Sequence, residues 1–139
     1  MNTKLNELIC ELAPLLKQQG FKKQGLVWYK ENSELTVIFS VQRSQYGNDL
    51  WYYNFGIGIN ALEDKPIRSI SKTHIRSRLD MKMKDIYFTA DVLSQAVQRW
   101  TDDYGEISKL RICAIENRLP AMSASQEITY LTAIDLSKL

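Results

Sequence analysis

Histidine is almost absent from this chain: among 139 residues there is one, His74. A nucleophile needs an adjacent base, and no Gly-x-Ser-x-Gly turn presents a serine, so a Ser-His or Cys-His hydrolase is disfavoured. Metal centres draw on clustered His, Cys or carboxylates, and one histidine with two distant cysteines makes no such cluster. Asp102-Asp103 reads as a solvated helix end, so no metal and no cofactor is expected. Cys10 and Cys113 each fall in a helical pattern and read as small core fillers. Long apolar runs are missing too, which excludes a membrane-spanning helix. The first residues run directly into an amphipathic pattern with acids in it, unlike a secretory leader, and the expected location is cytoplasmic.

What is present is ordinary globular material, 45% hydrophobic and 24% charged. The length suits one domain over 1–139, with no repeat, low-complexity tract or linker. Leu5, Leu8, Ile9, Leu12, Leu15 and Leu16 recur at helical spacing, with Thr3 as a candidate cap and Gly20 as a stop. Pro14 lies inside this pattern and predicts a kink or a restart.

After Gly20 the period changes to two. Strands are predicted over 26–31, 34–44, 50–60 and 73–79, with short loops between the first three, so the sheet is antiparallel. The predicted class is α+β: an antiparallel sheet of three to four strands follows an N-terminal helix, helices cover one face, and the C-terminal third is helical. Thr89 caps a helix with the stripe Val92, Leu93, Ala96, Val97 and Trp100, ending at Gly105. A second helix spans 106–119. A third spans 125–136, behind the capping-box spacing of Ser123 and Gln126.

Alternation divides the sheet into two faces. Leu35, Val37, Phe39 and Val41 join Trp51, Tyr53, Phe55, Ile57 and Ile59 on an apolar side that helices must cover. The other side carries Thr36, Ile38, Ser40, Gln42 and Ser44 with Tyr52, Asn54, Gly56, Gly58 and Asn60. Its glycines mark places where something comes close, although Gly56-x-Gly58 in a strand interior is no nucleotide fingerprint. A fourth strand would add His74, Arg76 and Arg78 to that side. Trp28, on what reads as an edge strand, is a candidate exposed anchor.

Charge is unevenly spread. Residues 65–84 hold seven basic side chains against Asp80 alone, while the segments on either side are slightly acidic. Arg76 and Arg78 on one strand face suit bidentate grip of a carboxylate or phosphate. Tyr52 beside them, helped by Tyr46, could stack a base, but the modest overall charge disfavours nucleic acid. The plainer alternative is that the arginines pair with Glu31, Glu34 or Asp49. The binding candidates are therefore Gln42, Ser44, Tyr52, Asn54, His74, Arg76 and Arg78, with no catalytic residue assigned. An enzyme using His74 as base with Gln42 and Asn54 as orienters is a further alternative.

Five blocks occur in a recognisable order: Phe21-Lys22-Lys23-Gln24-Gly25, Trp28-Tyr29-Lys30-Glu31, Val41-Gln42-Arg43-Ser44-Gln45-Tyr46-Gly47, Tyr53-Asn54-Phe55-Gly56-Ile57 and His74-Ile75-Arg76-Ser77-Arg78. In these the chain resembles the bacterial domain of unknown function 4304, with Ser77 where the family often has Gly and Gln24 where a third basic residue is common. The resemblance brings no established activity. It implies a small bacterial protein that binds another protein, with an immunity protein neutralising a cognate toxin as the leading form. The +6 stretch weighs against mimicry of nucleic acid toward a nuclease toxin. The alternative is a site for an anionic small molecule or nucleic acid on the polar face.

Overall fold

A computed structural model describes residues 3–43, 51–80, 89–116 and 118–120. The element order is helix α1 (Thr3–Gln18), strands β1 (Lys22–Gln24), β2 (Val27–Glu31), β3 (Leu35–Arg43), β4 (Trp51–Ile59) and β5 (Ile75–Asp80), then helices α2 (Ala90–Tyr104) and α3 (Ile107–Ile115). Two short 3-10 turns, Asn60–Leu62 and Ile70–Lys72, lie between β4 and β5. Four predicted strands are present, each within two residues of its expected ends, and a fifth precedes them. The sheet is an antiparallel meander in the order β1-β2-β3-β4-β5.

α1 buries Leu5, Leu8, Leu12 and Leu16, a stripe at helical spacing, and runs through Pro14 without restarting. Cys10 lies on its opposite side and is exposed, so only Cys113 is a core filler, and both thiols are free. Gly20 ends the helix with φ 93°. Its N–H reaches the Lys17 carbonyl at 3.0 Å and the Phe21 N–H reaches that of Leu16 at 3.0 Å, the paired bonds of a Schellman stop. Only glycine adopts that left-handed φ without strain.

β1 was not expected. Lys22-Lys23-Gln24 is exposed throughout, so no alternation marks it. A two-residue turn joins it to β2, with Gly25 at φ 62° supplying the positive φ that such hairpins need. β1 makes β2 an interior strand, which corrects the reading of Trp28: the side chain is 1% exposed and packs in the core. At the next turn Asn32 Oδ1 accepts the Glu34 and Leu35 N–H groups at 2.9 and 2.8 Å.

One face of the sheet is apolar and packs against the helices, with the predicted residues of β3 and β4 on it. Trp28, Phe39 and Phe55 are cross-strand neighbours with ring centroids 5.7 and 5.3 Å apart. The row continues from Phe55 to Trp100 of α2 at 5.8 Å, and Trp100 Nε1–H donates to the Gly56 carbonyl at 3.2 Å. Thr89 caps α2 as predicted, its hydroxyl oxygen accepting the Val92 N–H. The stripe of α2 is Leu93, Val97 and Trp100; Val92 is 48% exposed and belongs to the outer side. α3 ends at Ile115, short of the predicted 119. The predicted helix over 125–136 lies outside the described residues. No described helix is long and apolar enough to cross a membrane.

Candidate functional site

The second face of the sheet divides into a closed half and an open half. The connection from Asn60 to His74 folds back over the closed half. A Cβ on Gly58 would lie 2.4 Å from Ile67 Cδ1, and one on Gly56 would lie 2.7 Å from Ile70 Cδ1 and Thr73 Cγ2. The close approach that the glycines announced is therefore made by the chain itself. Thr36, Ile38, Ile67 and Thr73 are buried there, and the Thr36 hydroxyl donates to Asn60 Oδ1 at 2.7 Å.

His74 belongs to this closed half. Its Nδ1 accepts the Ile59 N–H at 2.9 Å, and its Nε2 lies 3.3 Å from Glu63 Oε1. With Nδ1 occupied as an acceptor, the neutral ring carries its proton on Nε2, toward Glu63. Asn54 and Gln42 hydrogen-bond elsewhere, so the triad of His74 as base with those two as orienters is not assembled. β5 begins one residue later, at Ile75.

The open half is built on β3, β4 and β5. Register pairs Gln42 with Tyr52, Ser40 with Asn54, and Asn54 with Arg78, so these side chains share one face. Asn54, 3% exposed, is the hub. Its Nδ2 donates to Gln42 Oε1 at 3.1 Å and to Ser40 Oγ at 3.3 Å, and its Oδ1 accepts Arg78 Nε–H at 3.0 Å. The Arg78 guanidinium lies 4.9 Å from the Tyr52 ring centroid, in cation–π range. Arg76, opposite Gly56, is half-buried; its Nε is shut from solvent without an acceptor among the described residues.

Five of the predicted residues therefore gather: Gln42, Tyr52, Asn54, Arg78 and, one step along the strand, Arg76. His74 is on the predicted side but works in the roof. Ser44 and Tyr46, like Asp49, lie outside the described residues. Glu31 binds Arg68 through both carboxylate oxygens, at 3.2 and 3.1 Å, and not Arg76 or Arg78. Arg68 also lies 4.0 Å from the Tyr29 ring. Ser40, on the polar side but not among the predicted binding candidates, joins them through Asn54, and its alternation with Gln42 is the signal that marks it.

The arrangement can hold an anionic group. Arg78 is fixed by a hydrogen bond to a neutral amide and by a ring, so its charge is positioned, and no carboxylate among the described residues pairs with it. Three adjacent strands at about 4.8 Å spacing spread these groups over roughly 10 Å, reaching the β5 edge of the sheet. Among the described residues no group of three or more His, Cys, Asp or Glu is placed to hold a metal ion.

No curated protein and no solved structure matches the chain. Residues 12–119 match the model of a family described as a domain of unknown function, DUF4304. That span takes in every strand, α2 and α3, and the chain belongs to this family.

Proposed function

We propose that this protein is a non-catalytic binding module that docks an acidic surface of a partner protein on the open half of its polar sheet face. The observation that carries the reading is the setting of Arg78, clamped by Asn54 and Tyr52 while keeping its charge. The side chain loses little further freedom on binding, which lowers the cost of ordering it. Arg76, on the same face two residues along β5, adds a second guanidinium for a carboxylate brought by a partner. The one histidine is engaged by Ile59 and Glu63, which favours binding over acid–base chemistry at this face.

The specific form of the reading is an immunity protein that neutralises a toxin made by a neighbouring gene, with an interface of about 1,200–2,000 Å². The test is co-purification of the tagged chain with that neighbouring product, beside Arg78→Glu and Tyr52→Ala variants. The expected result is a complex that survives purification and is lost with Arg78→Glu. A complex indifferent to both variants, or no complex, refutes the reading.

A further inference from the structure

β5 is the last strand of the sheet, and among the described residues nothing pairs with its outer edge. A six-residue strand with a free edge is a template for another strand. Its two faces present different chemistry. On the polar face stand Arg76 and Arg78, two residues apart and so about 6.8 Å along the strand, with Asp80 at the next position of that face. On the core face Ser77 is a small side chain, and beyond it opens a cavity of about 340 Å³ between the sheet and α2. Phe55, Ala96, Trp100 and Tyr104 line that cavity with Ser77, and the charged Arg99 and Asp103 are also on its wall.

We infer that the partner adds an extended segment to β5, and that this segment alternates acidic and apolar residues. The inference rests on the binding reading above and specifies the partner's form. A strand laid along β5 points alternate side chains to the two faces, so acids meet Arg76 and Arg78 while apolar residues enter the cavity beside Phe55 and Trp100. In one register the same charges disfavour a second copy of this chain. Antiparallel pairing of two β5 strands about Ser77, with their faces aligned, sets Arg76 of each against Arg78 of the other, a like-charge pairing. In that register the edge favours an acidic strand over a second copy of itself.

The test uses the full chain and a capped eight-residue peptide alternating glutamate and valine, with amide hydrogen exchange and binding as readouts. The expected result is binding that slows exchange of the β5 amides facing away from β4 and weakens about tenfold or more in Arg78→Ala, as losing one charge-assisted pair implies. A peptide alternating lysine and valine should not bind, nor should the glutamate peptide once its backbone nitrogens on one edge are methylated. Equal binding of the methylated peptide overturns the inference, because it leaves only charge attraction. So does protection of the outward β5 amides in the free chain, which would mean the edge is already occupied. If Arg78→Glu disrupts the partner complex while the peptide leaves β5 exchange unchanged, strand addition falls and the binding reading stands.

Discussion

Gly58→Ala is the sharpest perturbation of the roof over the sheet. The new methyl carbon would lie 2.4 Å from Ile67 Cδ1, 3.0 Å from Cγ2 and 3.3 Å from Cβ. Carbon atoms rest at about 3.5–4.0 Å, so Ile67 must move by about an ångström. Ile67 is 2% exposed and has little room to do so. Overpacking of this kind costs about 1–3 kcal/mol, and the lower entropy of the unfolded alanine chain returns about 0.4–1. A net loss of about 1–2 kcal/mol is expected, which at this chain length lowers Tm by roughly 3–10 °C. Ile67→Val removes Cδ1, the closest atom, at a cost of about 0.5–1.5 kcal/mol alone. The double variant should then be more stable than the sum of the singles by about 1 kcal/mol, measured by urea unfolding at constant m. Additive losses, or a neutral Gly58→Ala, would refute the seating of residue 67 on β4.

His74→Ala should cost about 1–3 kcal/mol by orphaning the buried Ile59 N–H; His74→Asn, whose amide oxygen can replace Nδ1, should recover most of it in thermal melts. Trp100→Phe keeps a ring against Phe55 but loses the donor to the Gly56 carbonyl, for about 0.5–1.5 kcal/mol beyond the change in ring size. Burial raises the Tyr53 phenol above its ordinary value, partly opposed by the hydrogen bond that Trp51 Nε1–H donates to it. The unfolded chain therefore releases this proton first, and the stability it contributes, intact below about pH 10, declines as pH rises beyond. Tyr53→Phe should flatten that alkaline decline in denaturant titrations, leaving the part that comes from Tyr104, whose phenol burial also raises.

The parts of the fold legible in the sequence are those where period two is unbroken. β3 and β4 alternate over nine residues each, and their faces follow directly. β1 is illegible for the opposite reason: three polar residues on a sheet edge bury nothing and so carry no pattern. Without β1, β2 reads as an edge and Trp28 as an exposed anchor; with it, both are interior. The glycines of β4 announced a close approach but not its source. The answer lay in Ile67 and Ile70, apolar residues in a connection that otherwise read as loop. For His74 the side was right and the strand start was not. One residue before β5, the backbone turns the ring toward Ile59, and only tertiary geometry decides that.

The open half depends on a choice of residue that alternation alone cannot weigh, an amide at position 54 where a carboxylate would fit the same space. Asn54→Asp exchanges the two Nδ2–H donors for a second acceptor oxygen. The Ser40 hydroxyl can rotate to donate, and the Gln42 amide can turn over to donate through its nitrogen, so each contact of the hub can be remade. The Arg78 contact becomes an ion pair, buried on the Asn54 side, which is 3% exposed. Desolvation of the new charge opposes the attraction, so folding stability should change by no more than about 1–2 kcal/mol. The face, however, loses the charge of Arg78 and keeps only that of Arg76. If an acidic segment is drawn by that charge, Asn54→Asp should weaken binding of the glutamate–valine peptide about tenfold or more, as Arg78→Ala does, while urea unfolding remains near wild type. Undiminished peptide binding by a folded Asn54→Asp protein would show that the charge at Arg78 does not recruit the partner.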